Sequence, residues 1–364
     1  MIANAGRELV VYPGNMEKRL QISPGMRAML DYPKFTGTTR LLILETEYFF
    51  DKSWVRAAAS LGWESATVPS AMTGGLTRDQ IATLFRTVAE FKPDFILTSN
   101  YAGMDMHGLF SKFFEDARIP YVSWFTDTPR MILYNREVHC SAYSVAATWE
   151  RGYIPHLKSL GFQHVYFMRH ATDPELFHGP AQETHARKLA FVGASMISHA
   201  EEAWEKLRAF PEITAALRDA FDSGRMSRAQ FAQGVETIIA PSLLKACAPR
   251  ERRHLELCLV YEGTRRMRSD LVKRLAPLGV EVYGDSEWQQ VHDRCFGDVG
   301  YFDALSPLYR STAINVNSTS IQMATSVNQR VFDCPAAGGF LITDAQPDIA
   351  ELFDIGSECV TFRT

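Results

Sequence analysis

Asn328, Gln329, Arg330 and Asp333 lie close together in an otherwise apolar stretch, VNQRVFDCPAAGGFLITD (327–344), that ends in the strand-like GFLITD. A carboxylate only accepts hydrogen bonds, whereas a guanidinium donates through a planar fork that suits carboxylate and phosphate oxygens. Spaced three apart on a helix, Arg330 and Asp333 have two uses: an i,i+3 ion pair on the surface, or part of a binding site.

Further polar residues gather at the ends of strand-like runs. Glu45, Thr46 and Glu47 follow LLIL; Ser99, Asn100 and Tyr101 follow FILT; Asp127 and TPR follow VSWFT; Arg169 and His170 follow VYFM. Later in the chain Ala194 and Ser195 follow FVG, and STS follows INVN with its terminal Asn317. Open parallel sheets bind ligands beyond the carboxyl ends of their strands, where helix N-termini present free N–H groups. Each residue also has a plainer role. Asp127 before Thr-Pro-Arg is a turn and N-cap signal, His170 suits a core or loop, and Gly193 stands alone without a G-x-G-x-x-G series. Glu45 and Glu47 alternate along a strand end, so at most one faces a site.

The elements that position these residues follow from the pattern. Near-continuous apolar runs alternate with single helical stretches: TRLLILET, DFILTSN, PYVSWFTD and HVYFMRH in the first half, KLAFVGAS, TAINVNS, GFLITD and ECVTFR in the second. Parallel strands need helix-length returns, and strands covered on both faces are apolar throughout. The class is therefore α/β with two parallel sheets. The boundaries fall at 1–172 for the first domain, 173–187 for a Pro-, Gly- and His-rich linker, and 188–364 for the second domain. A helical block over about 200–276 interrupts the second domain; Ile213, Leu217 and Phe221 keep helical spacing, as do Phe231, Val235 and Ile238, and Ser227 with Gln230 makes a capping box. The basic runs PRERRH and RRMR (265–268) within it suit a solvated charged face better than phosphate contacts.

The totals exclude several classes. The 364 residues suffice for two cores, and a formal net charge of −4 argues against a chain built to hold nucleic acid. Six cysteines without a C-x-x-C pair or zinc spacing point to a reducing, cytoplasmic setting and no metal site. No apolar run nears the roughly 18 residues that span a bilayer, and the first residues, MIANAGRELVVYPGNMEKR, carry no export signal.

The ordered series PYVSWFTDTPR, YIPHLKSLGFQHVYFMRHATDPELF, LAFVGAS, VYGDSEW, GYFDALSPLYRSTAINVN and NQRVFDCPAAGGFLITD resembles the CgeB-like, or spore-maturation-protein-like, branch of the GT-B glycosyltransferases, from about residue 40 onward. The resemblance implies two Rossmann-like domains, the first for the acceptor and the second for a nucleoside-diphosphate sugar, with no metal and no cofactor beyond that substrate. By motif position Asp333 would accept the ribose hydroxyls, and Arg330 and Asn328 would face the diphosphate or sugar. Gly193, Ser195 and the N–H groups after Asn317 would add to the diphosphate site, Tyr283, Gly284, Val299 and Tyr301 would line the base pocket, and Gly338 and Gly339 would permit close packing. Asp127 would serve as the base for an acceptor hydroxyl. Related retaining enzymes carry a second acid eight residues before the ribose-binding one, where this sequence has Thr325, and usually add a closing helix after the last strand. Two other activities share the architecture: a non-catalytic binding or assembly module, and a sugar-nucleotide epimerase.

Overall fold

The computed structural model describes residues 24–363 apart from Glu47, 71–76, Met106, Asn135, Arg136 and Ala246. The N-terminal segment considered for export and the strand-end Glu47 lie outside the described residues. The chain divides into two compact units, Met1–Met168 and Arg169–Thr364.

In the first unit six strands, β1 (Arg40–Glu45), β2 (Glu64–Pro69), β3 (Phe95–Ser99), β4 (Tyr121–Phe125), β5 (Ser144–Thr148) and β6 (His164–Phe167), form one parallel sheet in the order β2-β1-β3-β4-β5-β6. The alternation of side chains along β1 explains its unbroken apolar run. Leu42 and Leu44 enter one core with Leu84, Phe113 and Tyr121, while Leu41 and Ile43 enter the opposite core with Phe50, Trp54 and Trp124. Helices on both faces therefore demand apolar residues at every position of the strand. The helix Arg78–Phe91 begins at a reciprocal Thr77–Gln80 capping box and ends at Lys92 in the left-handed region.

The second unit contains β7 (Arg187–Val192), β8 (Glu281–Tyr283), β9 (Thr312–Asn317), β10 (Leu341–Asp344) and β11 (Val360–Phe362), parallel in the order β11-β10-β9-β7-β8. Leu189 and Phe191 of β7 pack with Val272, Val282 and Trp288, and Ala190 packs on the other face with Tyr309, Val331 and Leu341. Between β7 and β8 the expected insertion is present as helices Ile197–Leu207, Pro211–Asp222, Arg228–Gln233, Pro241–Lys245 and Pro249–Leu275.

Ile213, Leu217 and Phe221 bury one stripe, and Ser227 Oγ accepts from the Gln230 N–H at 3.2 Å, but the expected capping box is only half made because the Gln230 side chain turns to Thr237 Oγ1 instead of the Ser227 N–H. The regular spacing of Phe231, Val235 and Ile238 does not continue one helix. Gly234 at φ 100° ends the helix after Gln233, and Ile239 takes the buried place instead of Ile238. The last insertion helix, 27 residues, is about 40 Å long and carries an unusual buried polar set: Glu256, Glu262, Thr264, Arg268 and Ser269.

Gly284, directly after β8, has no room for a side chain: a Cβ there would strike the Gly193 carbonyl oxygen and lie 2.9 Å from Trp288 Nε1. Overpacking of a fixed backbone typically costs about 1–3 kcal/mol. Gly284→Ala is expected to lose that much in urea unfolding, whereas Gly300→Ala, with nothing within 4 Å of the added carbon, is expected to unfold like the parent.

Candidate functional site

The turn Gly193–Met196 leaves the carboxyl end of β7 and opens the helix Ile197–Leu207. It is held from below: the Gly193 N–H donates to the Tyr283 carbonyl at 2.9 Å, and Trp288 Nε1 donates to the Gly193 carbonyl at 2.7 Å. On one side the Ser195 N–H donates to Asp285 Oδ2 at 2.6 Å. Two guanidinium groups approach the same turn. Arg268 Nη1 donates to the Ala194 carbonyl at 2.7 Å, and the Arg330 guanidinium lies so close over Gly193 that a Cβ there would be 3.1 Å from its Nη2.

The electrostatics of this pair are unusual. Arg268 is 5% exposed, and its Nε has no hydrogen-bond partner among the described residues. Burial pulls its pKa down to about 9, and the like charge of Arg330 adds to the effect. Neither arginine forms an ion pair among the described residues. Of the acids that influence Arg268, Asp344 pairs with Arg228, while Asp285 accepts from the Ser195 N–H through Oδ2 and its Oδ1 has no hydrogen-bond partner among the described residues. A buried cation beside a second guanidinium, with no ion-pair partner for either among the described residues, is costly unless an anion joins them.

The solvated face expected for RRMR does not form: Arg265 and Arg266 are only partly exposed and pair with the buried Glu262, and Arg268 is itself buried. Arg265 and Arg266 both donate to Glu262, at 2.6 to 2.7 Å. Arg268 instead falls on the buried stripe of the helix, one turn from Thr264 and one turn from Val272, which are 1% and 0% exposed. No acid stands three or four residues away from it, and that gap was the available sequence signal.

Asp333 sits in the first turn of the helix Arg330–Ala336 and is 0% exposed. Its carboxyl accepts from the Tyr301 hydroxyl at 3.1 Å and from Gln329 Nε2 at 3.5 Å. Burial outweighs these bonds and raises its pKa to about 7. The i,i+3 surface pair with Arg330 does not form; Asp333 points inward and Arg330 reaches Gly193.

Asn317, the last residue of β9, exchanges two amide hydrogen bonds with Asn328, each 3.0 Å, and also donates to Thr343 Oγ1. Gly338 at φ 83° and Gly339 pack against the Gly179 carbonyl and Cys334 Sγ, where a Cβ would come within 2.7 and 2.8 Å. Tyr283 and Val299 face elsewhere. With Arg187, Asp303 and Arg310 they line a pocket of about 510 Å³, and the Tyr283 hydroxyl meets Arg187 Nε at 2.7 Å, at the amino end of β7. The second unit thus gathers Gly193, Ser195 and Arg330 around Arg268, Asn317 with Asn328, and Tyr301 with Asp333. His170 is buried, which lowers its pKa to about 4 and keeps it neutral at physiological pH.

In the first unit Asp127 follows β4. Its Oδ2 accepts from Asn100 Nδ2 at 3.0 Å, and Asn100 Oδ1 accepts from the N–H groups of Thr126 and Asp127. Asn100 and Tyr101 both adopt left-handed backbone, φ 51° and 59°, a conformation that costs energy for residues other than glycine. Thr128, not Asp127, occupies the N-cap position of the helix Pro129–Leu133.

Two parallel α/β sheets, six- and five-stranded, with a helical insertion in the second unit, make an α/β fold consistent with the two Rossmann-like domains of the GT-B architecture. Within it, residues 261–364 match a family model described as glycosyl transferase-like, a span that contains Arg268, Asn317, Asn328, Arg330 and Asp333. The match supports glycosyl transfer as the general activity. No curated protein matches the chain. Among the described residues no helix is long and apolar enough to cross a membrane.

Proposed function

We propose that the protein is a glycosyltransferase of the CgeB-like GT-B branch that moves a sugar from a nucleoside diphosphate to an acceptor bound by the first domain, with its donor charge balanced by arginine in place of metal. The observation that carries this reading is the pair Arg268 and Arg330 at the Gly193–Met196 turn, close together and without a carboxylate partner among the described residues. A diphosphate supplies the missing anion. As the glycosidic bond breaks, negative charge grows on the departing phosphate, and prearranged guanidinium and N–H donors stabilise that charge more than they stabilise the bound donor.

Asp333 takes the ribose. Two vicinal hydroxyls would replace the Tyr301 hydroxyl and the Gln329 amide as donors, with Tyr301 moving aside. Asp127 is the acceptor-side base, its carboxylate oriented by Asn100. The six free cysteines fit a reducing, cytoplasmic setting.

Donor binding then draws a proton off Asp333, because hydroxyl donors favour the carboxylate form. With a free-protein pKa of about 7, affinity for a nucleoside diphosphate is expected to rise about tenfold from pH 6 to pH 8 by linkage. Calorimetric titrations at the two pH values check this; the part of the slope due to Asp333 disappears in Asp333→Asn. The function itself is tested by incubating the chain with a panel of nucleoside-diphosphate sugars and analysing the products by mass spectrometry. Release of the nucleoside diphosphate with transfer or hydrolysis of the sugar supports the reading. Interconversion of donor sugars without release indicates an epimerase, and tight binding without turnover across a broad acceptor panel indicates a binding module.

A further inference from the structure

The loop between β9 and the helix Arg330–Ala336 is irregular yet largely buried. It carries Asn328 and leads directly into Arg330 and Asp333, so its position sets theirs. The helical insertion holds it at two points. From the helix Arg228–Gln233, Arg228 Nη2 donates to Asp344 Oδ2 at the tip of β10 and to the Thr319 carbonyl, and Nε donates to the Ser320 carbonyl at 3.4 Å. Asp344 Oδ1 in turn accepts from the Thr319 N–H at 3.0 Å and from the Thr319 and Thr343 hydroxyls. From the long helix, Thr264 Oγ1 bonds Ser320 Oγ at 2.8 Å and accepts from the Ile321 N–H at 3.3 Å.

Thr264 and Arg268 stand one helical turn apart on the same buried face. The helix that fastens the loop is therefore the helix that carries the buried cation, and Arg228 fastens the same loop from the insertion's other side. Gly263 explains how the helix comes so near: a Cβ there would lie 2.5 Å from Ile321 Cδ1. Asp344, although it stands at the carboxyl end of a strand, has both oxygens committed to this latch.

We propose that Arg228 and Thr264 are positioning residues through which the helical insertion fixes the β9 loop, and so aligns Arg330 with Arg268 for a diphosphate. The proposal rests on the anion-site reading given above. Inorganic pyrophosphate, titrated calorimetrically into the full chain well below each variant's unfolding midpoint, tests it. Arg228→Met and Thr264→Val are each expected to weaken pyrophosphate binding tenfold or more, and Arg228→Lys to recover part of the loss. Arg266→Met, which breaks the bonds to Glu262 and Asp222 elsewhere on the insertion, is expected to bind like the parent. Thr264→Val removes no charge and decides the matter if Arg228→Met fails to fold. Parent-like affinity in the folded Arg228 and Thr264 variants overturns the latch alone. Absence of pyrophosphate and nucleoside-diphosphate binding in the unaltered chain overturns the anion site, and the latch with it.

Discussion

Arg268→Met is expected to weaken binding of both pyrophosphate and nucleoside diphosphates by on the order of 100-fold, since each charge-assisted hydrogen bond to phosphate contributes about 1.5–3 kcal/mol. The same substitution is expected to stabilise the unliganded protein by about 1–3 kcal/mol, within the span by which replacing buried ionic groups with well-packed apolar volume stabilises folded proteins. Methionine matches the arginine stem closely enough to fill the space between Thr264 and Val272, and among the described residues the only bond lost is the one to the Ala194 carbonyl. Opposite signs in the two measurements separate a ligand-binding cation from a structural one. An arginine kept for the fold would lose stability on removal, while one kept for a ligand strains the empty site. Arg330 is half-buried, so Arg330→Met is expected to show the same loss of binding with little gain in stability.

Asp333→Asn is expected to separate the nucleoside from the phosphates. It leaves the guanidinium pair intact, so pyrophosphate affinity stays within about twofold, whereas nucleoside-diphosphate affinity falls about 10- to 100-fold as one hydroxyl acceptor becomes a donor. The unliganded stability also changes, with a definite sign. The folded-state pKa of Asp333, about 7, stands above its ordinary value of 3.8, so the folded protein holds a proton that the unfolded chain has released between those values. Its contribution to stability is complete below about pH 4 and is lost as pH rises toward 7, by at most about 1.4 kcal/mol per pH unit. The asparagine variant removes that dependence and is expected to be more stable than the parent at pH 8, with the two curves converging at low pH. Urea unfolding at pH 5 and pH 8 reads the difference.

Much of this arrangement was legible in the residues. The apolar runs needed helices on both faces, and β1 shows why: its neighbouring leucines serve two different cores. The insertion was visible in Ile213, Leu217 and Phe221, and its first cap in Ser227. Asn317, Arg330 and Asp333 stand at strand and helix ends, where parallel sheets collect polar groups. What escaped the sequence was direction. RRMR places four residues over one helical turn, and only the packing of the helix decides that Arg268 turns inward while Arg265 and Arg266 find Glu262. Arg330 and Asp333 have the spacing of an ion pair, yet a buried carboxyl and the open approach over Gly193 send them to different partners. Tyr283 belongs to a strand of three residues, too short for alternation to reveal its face, and its hydroxyl goes to Arg187 and Glu281. The break after Gln233 is the opposite case: the helical spacing of Phe231, Val235 and Ile238 runs across Gly234, whose positive φ ends the helix.

A structure of the full chain with a bound nucleoside diphosphate tests the central claim most directly. Phosphate oxygens are expected within hydrogen-bond reach of Arg268 Nε and the Arg330 guanidinium, above the Gly193–Met196 turn, with the ribose hydroxyls on Asp333 and the Tyr301 hydroxyl displaced. A diphosphate lodged instead in the pocket of Tyr283 and Val299, with Arg268 Nε still lacking an acceptor and Tyr301 still on Asp333, would contradict it.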